Sequence, residues 1–255
     1  MAWNPDQYNQ FKTERFAPFY DLLQLIDVGA DLDVIDLGCG TGELTSKLAE
    51  ILPNANVLGV DSSAEMLAQS ATFVKPHLKF EQRTIEAQLN TGQKWDLVFS
   101  NAALQWVDDH EALLPKVIAS IKAGGQLIVQ IPSQNENLLN KMLNTLVAEE
   151  PYCTALVNWS RTSPVLTTDT YAQIVFENGG KEINIYEKIY PLVVANPEEL
   201  FNWIAGTAMI PYIEKLNGQV KENFVAEFKK RINERFVKTP ILYPFKRIII
   251  AAKFE

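Results

Sequence analysis

Val34-Ile-Asp-Leu-Gly-Cys-Gly-Thr-Gly-Glu43 carries a short apolar run straight into three alternating glycines. An apolar run of this length, closed by glycine, reads as a buried strand, Asp33–Leu37. The residues after the glycines, Glu43–Ile51, have helical spacing. The segment is therefore a strand, a tight turn and a helix. Gly38, Gly40 and Gly42 let the backbone turn sharply and come close to a ligand.

The acid in this segment narrows the ligand. A dinucleotide turn favours Gly-x-Gly-x-x-Gly, whereas the spacing here is Gly-x-Gly-x-Gly. Asp36 stands two residues before the first glycine, and Glu43 opens the helix. Carboxylates there repel a pyrophosphate and attract a cation. The helix N-terminus still offers N–H groups to an anion. That mixture suits a ligand bearing an ammonium, a carboxylate and a sulfonium, the charge set of S-adenosylmethionine (SAM). Asp61 ends the next apolar run, Val57-Leu-Gly-Val-Asp61. An acid at that point in a nucleoside-binding α/β fold accepts hydrogen bonds from ribose hydroxyls.

Outward from this segment, the chain alternates. Residues 7–27 read as an amphipathic helix, broken or bent near Pro18. Further strands are expected at Ala55–Val60, Leu78–Gln82, Trp95–Ser100 and Gln126–Ile131. Helices are expected at Ala64–Phe73, with Ser62 and Ser63 as cap candidates, and at His110–Ile121. Gly124-Gly125 turns the chain into the strand at Gln126. This rhythm predicts βαβ units and a parallel sheet, and the apolar strands predict cover on both faces. After Pro132 the rhythm loosens. A helix at 168–178 ending at Gly179-Gly180, a strand at Ile183–Val194, helical stretches at 135–163 and 197–236, and a last strand at Phe245–Phe254 complete the pattern. The expectation is α/β: a Rossmann-like, seven-stranded, mostly parallel sheet with helices on both faces and a helical cover. It forms one domain over 1–255, with the core at 30–132, 166–195 and 238–255 and the cover at 133–165 and 196–237.

The net charge is −8. A general nucleic-acid binder needs a basic face, so nucleic acid is not an expected partner. No run approaches the ~20 apolar residues of a membrane span, and residues 1–6 lack the pattern of a signal peptide. The two cysteines, Cys39 and Cys153, suggest a reducing compartment, and the cytoplasm is expected. His77 and His110 are far apart, and no metal site is expected.

These motifs resemble class I SAM-dependent methyltransferases. The resemblance covers about residues 30–132 through Asp-Leu-Gly-Cys-Gly-Thr-Gly, Val-Asp-Ser-Ser, Trp-Asp-Leu-Val-Phe-Ser-Asn and Gly124-Gly125. It implies that Asp36 lies near the methionine end of SAM, that Gly38, Cys39 and Gly40 pass beneath it, and that Asp61 binds the ribose. Ser62 and Met66 then lie near the adenine. Where the family often has an acid reading the adenine amino group, this chain has Thr84, with the Ile85 backbone as a substitute contact. A closer resemblance, nearly full length, is to the trans-aconitate methyltransferases. Its carriers are Trp3-Asn-Pro-Asp-Gln-Tyr8, Asn101-Ala-Ala-Leu-Gln-Trp106 with His110, Trp203-Ile and Phe245-Lys-Arg-Ile. That family methylates a carboxylate of a small tricarboxylic acid. It tends to carry an arginine where this chain has Ile210, before Pro211-Tyr212. The segment 135–165 also diverges, which leaves a different acid open.

Methyl transfer from a sulfonium is an in-line displacement that depends mainly on alignment. An ionised carboxylate needs no general base; a nitrogen or hydroxyl acceptor usually does. Asn101–Trp106 is expected to shape the acceptor site, with Asn101 also at the cofactor. Gln105 is a hydrogen-bond donor to an acceptor oxygen. Trp106 is either a wall of the cleft or a core anchor, and His110 either a base or the start of a helix. Trp3 and Tyr8 are either a lid or ordinary packing. Arg161, Trp203 and Arg247 are candidates for an acidic substrate, with Lys246 beside Arg247; a solvated surface role is the alternative for each cation. A monomer is expected. An N- or O-methyltransferase for another metabolite or protein, and a SAM-binding module without turnover, stand as competing readings.

Overall fold

The computed structural model describes residues 12–161 and 163–255; Trp3 and Tyr8 lie outside them. In chain order the elements are α1 (Lys12–Leu23), β1 (Asp33–Leu37), α2 (Glu43–Ile51), β2 (Asn56–Asp61), α3 (Ala64–Ser70), β3 (Leu78–Gln82), α4 (Ile85–Leu89), β4 (Trp95–Asn101), α5 (His110–Ala119) and β5 (Ile121–Pro132). Then come α6 (Leu138–Val147), α7 (Tyr152–Ala155), α8 (Thr168–Glu177), β6 (Gly180–Val194), α9 (Pro197–Ala205), α10 (Ile210–Lys215), α11 (Gly218–Arg235) and β7 (Ile241–Phe254).

The seven strands form one sheet in the order β3-β2-β1-β4-β5-β7-β6. Neighbours from β3 to β5 run parallel, and β7 pairs with β5 antiparallel. The expected mostly parallel α/β sheet is observed. Its strand order reverses between β1 and β4, because the chain winds outward through β2 and β3 and then returns. That reversal opens a crevice at the carboxyl ends of β1 and β4, the place where open α/β sheets bind ligands.

Strand residues alternate between two cores, as a sheet covered on both faces requires. Ile35, Leu37, Val98, Leu127, Val129, Ile248 and Ile250 face one core, with Leu114 and Val117 of α5 and Tyr171 and Val175 of α8. Val34, Leu97, Phe99, Ile128 and Ile249 face the other, with Phe19 and Leu22 of α1 and Leu48 of α2.

Contacts divide the chain into two compact units. One comprises Pro18–Pro132, Pro164–Lys188 and Arg247–Glu255; the other comprises Ser133–Ser163, Ile189–Lys246 and the described residues through Ala17. Of the expected cover segments, 133–163 and 196–237 lie in the second unit and 164–165 in the first; Ile189–Val194 and Ile241–Lys246, which the sequence assigns to the sheet core, also lie in the second. Their side chains explain the difference: Leu192, Val194, Ile241 and Tyr243 are buried with Leu143, Phe201, Phe224 and Phe228 of the helices.

Local departures have local causes. Helix α1 continues through Pro18 rather than breaking there. Strand β5 begins at Ile121, before the glycine pair, because Trp95 pairs with Ile121 while Leu97 pairs with Gln126. The residues between loop out, with Gly124 at φ +81°. The long helical stretch at 197–236 is three helices, interrupted at Gly206 and Leu216. Among the described residues, no helix is long and apolar enough to cross a membrane.

Candidate active site

The glycine turn is fixed by its neighbours. Gly38, Gly40 and Gly42 have φ of +81°, +57° and +78°, a region that costs any residue with a Cβ. The Gly38 and Cys39 N–H groups both donate to the Val60 carbonyl, at 2.8 and 3.0 Å. These two bonds tie the turn to the end of β2. A Cβ at Gly38 stands 2.1 Å from the Ala103 Cβ, and one at Gly40 stands 3.3 Å from the Met66 Cε. Cys39 is buried, and burial together with the Asp36 and Asp61 charges holds its thiol protonated.

Asp61 is held from two sides. Its Oδ2 accepts from the Gly40 N–H and its Oδ1 from the Ser63 N–H, both at 2.9 Å. Each carboxylate oxygen has a second lone pair, and the residue is only half-buried, so ribose hydroxyls have acceptors to meet. Ser63, rather than Ser62, caps α3: its Oγ accepts from the Met66 N–H at 3.2 Å. The loop Gly38–Gly40, Asp61 and Met66 thus form one cradle at the carboxyl ends of β1 and β2. Gln82, which the sequence leaves as a strand end, joins the rim by donating to the Ser62 carbonyl at 3.2 Å. Thr84 caps α4, its Oγ1 accepting from the Ala87 N–H at 3.1 Å, and the Ile85 side chain enters the core. The Thr84 side chain is therefore engaged as a helix cap.

Asp36 is buried, and the Thr45 hydroxyl donates to its Oδ2 at 2.6 Å. Burial pushes its carboxyl up to about 7; Thr45 opposes that rise and the nearby Asp61 charge reinforces it. A carboxylate held in this state gains from a cation placed beside it.

The loop after β4 separates the candidate residues. Asn101 ends the strand, with its Oδ1 accepting from Gln130 Nε2 at 2.9 Å. Gln105 is buried and donates to the Ala102 carbonyl at 2.6 Å, so its amide shapes the loop. Trp106 is 47% exposed, which removes the core-anchor reading. His110 opens α5 and is buried. Its Nε2 donates to the Leu104 carbonyl at 2.9 Å, and its Nδ1 meets the Tyr171 hydroxyl. With Nε2 protonated, Nδ1 accepts from Tyr171, whose oxygen in turn accepts from the Leu166 N–H at 3.2 Å. Both ring nitrogens are engaged, and burial lowers the imidazole's affinity for a proton. The geometry gives His110 a scaffold role in place of the base considered from sequence.

Arg247 is buried at the start of its β7 segment in the sheet unit, where Nη1 donates to Gln130 Oε1 at 2.7 Å. It is not a solvated surface cation. In the other unit, the Tyr212 hydroxyl accepts from the Arg161 N–H at 3.1 Å. Trp203 is buried in α9, and Arg15 of α1 stacks on its ring at 4.5 Å, a cation–π contact, while donating to its carbonyl at 3.3 Å. Arg15 is a buried cation that sequence reading missed. Its signal was an arginine beside Phe16 and near Phe19 in a segment with helical spacing of apolar residues.

The methyltransferase domain family matches residues 29–180. Trans-aconitate 2-methyltransferase from Deinococcus radiodurans is 40% identical over 99% of this chain and 98% of its own length. The same-named protein from Variovorax paradoxus is 32% identical, again over 99% and 98%. The solved structure of YcgJ from Bacillus subtilis shares the fold with a TM-score of 0.61 at 14% identity, covering 93% of this chain and 97% of that one. With its glycine turn, the aspartate that ends β2 and this full-length likeness, the chain belongs to the SAM-dependent methyltransferases, in the trans-aconitate 2-methyltransferase family.

Proposed function

We propose that this enzyme transfers the methyl group of SAM to a carboxylate oxygen of a small polycarboxylic acid, trans-aconitate or a close chemical relative. The observation that carries the reading is the cradle in which Asp61 is held by the Gly40 and Ser63 N–H groups, at the end of the strand beside the glycine turn. The fit is specific. The Ala103 methyl leaves no room for a Cβ at Gly38 and the Met66 methyl little at Gly40, and two carboxyl groups stand beside the turn for a cationic nucleoside. The full-length likeness to trans-aconitate 2-methyltransferases supports an acid as acceptor.

SAM supplies an electrophilic methyl on a positively charged sulfur. The protein supplies alignment and charge. Asp61 accepts from the ribose hydroxyls, Gly38 and Gly40 allow close approach, and Met66 lies over Gly40. Asp36 contributes negative charge near the methionine end. The acceptor is already ionised near neutral pH, so no side chain needs to remove a proton. That agrees with a His110 whose ring nitrogens are both engaged. Trp106, exposed after β4, is a candidate wall for the acid. Arg247, in the same unit, is a candidate contact for it. The same reading makes the protein a monomeric cytoplasmic enzyme acting on a free metabolite, and its net charge of −8 argues against nucleic acid as substrate.

The test is incubation of the full-length protein with deuteromethyl SAM and a panel of di- and tricarboxylic acids, read by mass spectrometry. A base-labile methyl ester on an unsaturated tricarboxylic acid is expected. A base-stable product, or no labelled acid at all, overturns the acceptor class.

A further inference from the structure

We infer that Gln130 is a positioning residue whose amide polarity, set by Arg247, turns Asn101 so that it presents N–H donors to a carboxylate at the active site. The inference deepens the proposed methyl transfer and rests on it, because both reactants of that transfer carry a carboxylate.

The argument begins with register. Asn101 of β4 is directly opposite Gln130 of β5, and Gln130 is opposite Ile249, two residues from Arg247 on β7. Alternation puts all of these side chains on the sheet face shared by Phe99, Ile128 and Ile249. Three polar side chains therefore cross three adjacent strands in a row. Gln130 is fully buried and Arg247 nearly so. An amide in the apolar strand Leu127-Ile-Val-Gln-Ile131 is costly unless it is hydrogen-bonded, and both ends of this one are.

The chemistry of the row has a single direction. A guanidinium only donates. The Gln130 atom facing Arg247 must therefore be its oxygen, as the 2.7 Å Nη1 to Oε1 bond shows. Gln130 must then turn its Nε2 the other way, and that group also only donates. The Asn101 atom facing it is consequently Oδ1, at 2.9 Å. The Asn101 Nδ2 is left on the side away from β5. On that side of β4 lies β1, which ends in the glycine turn. Among the described residues, Nδ2 has no acceptor. The polarity of a buried arginine is thus passed through two amides, and the result at the crevice is a pair of N–H donors. Donors in that position suit an anion, and the anionic group available is a carboxylate, either the amino-acid end of SAM or the acid substrate.

The test is a double-mutant cycle of Gln130→Glu against Asn101→Ala in the full-length protein. The substituted carboxylate keeps an acceptor for Arg247 but has no donor, so Asn101 must turn its NH2 toward it and show an oxygen to the crevice. Two quantities are measured: the Kd for S-adenosylhomocysteine by calorimetry, and the KM for trans-aconitate at saturating SAM. With Asn101 present, Gln130→Glu is expected to weaken one of them about tenfold or more. In the Asn101→Ala background the same substitution is expected to change it less than about twofold. Loss in the first quantity assigns the donors to the cofactor carboxylate; loss only in the second assigns them to the acid. Equal losses in both backgrounds, as simple charge repulsion or loose packing gives, overturn the inference, and so does no loss in either quantity. If Gln130→Glu lowers the melting temperature enough to unfold the protein, Gln130→Met in the two backgrounds carries the same comparison. Wild-type binding of S-adenosylhomocysteine is measured first and tests the proposed function separately.

Discussion

Replacing Asp36 by asparagine should make the ligand-free protein more stable while weakening its grip on SAM. Among the described residues, buried Asp36 has Thr45 as its one side-chain hydrogen-bond partner, and its carboxyl titrates at about 7 instead of 3.8. The folded state therefore holds a proton between those two pH values that the unfolded chain has released. A group raised in this way favours folding fully below pH 3.8, and that contribution is lost as pH rises through 7. Each unit between the two values is worth about 1.4 kcal/mol, so the loss totals on the order of 4 kcal/mol above neutrality. Asparagine has the shape of the protonated acid and its oxygen still accepts from the Thr45 hydroxyl, but it does not titrate. Urea unfolding of the two proteins at pH 4 and pH 8.5 isolates the effect, because every other titrating group cancels in the difference. Near-equal stability is expected at pH 4, and an advantage of about 2–4 kcal/mol for Asp36→Asn at pH 8.5. SAM affinity should fall at least about tenfold in the variant. In the wild type it should rise with pH through 7, as the carboxylate that attracts the cation forms. A stability difference that is the same at both pH values, or an asparagine variant less stable at pH 8.5, refutes the reasoning.

Three further outcomes are expected. Gly38→Ala combines φ +81° with a 2.1 Å approach to Ala103; it should lower stability by about 2–4 kcal/mol and abolish calorimetric SAM binding. Asp61→Ala removes the acceptor of the Gly40 and Ser63 N–H groups and, on the proposed reading, of the ribose; it should weaken SAM binding about 10- to 100-fold in a chain that still unfolds cooperatively. His110→Ala strands the Tyr171 hydroxyl and the Leu104 carbonyl in the core and should lower stability by about 2–4 kcal/mol. Its kcat at full folding should stay within about threefold of wild type; a drop of about a hundredfold restores the general base.

The division between what was legible and what was not follows sequence distance. The glycine turn, Asp36 and Asp61 could be read directly, because a positive φ, a close approach and a strand end are local properties of a few neighbouring residues. The alternation of apolar runs pointed to the α/β class for the same reason. His110 was ambiguous because its partner Tyr171 lies 61 residues away, and nothing near His110 announces it. Gln130 passed as an ordinary strand residue; the one available hint was an amide inside a run that had to be buried on both faces.

From sequence alone came the residue types able to hold a sulfonium nucleoside and the order in which strands and helices follow one another. Tertiary structure alone decided that β7 enters antiparallel beside β5, which brings Arg247 to Gln130 and Gln130 to Asn101 across 117 and 29 residues of chain. Local patterns are set by steric rules that act over one or two turns of backbone. Hydrogen-bond polarity across a sheet depends on which strands become neighbours, and that is settled only when the whole apolar surface is buried at once.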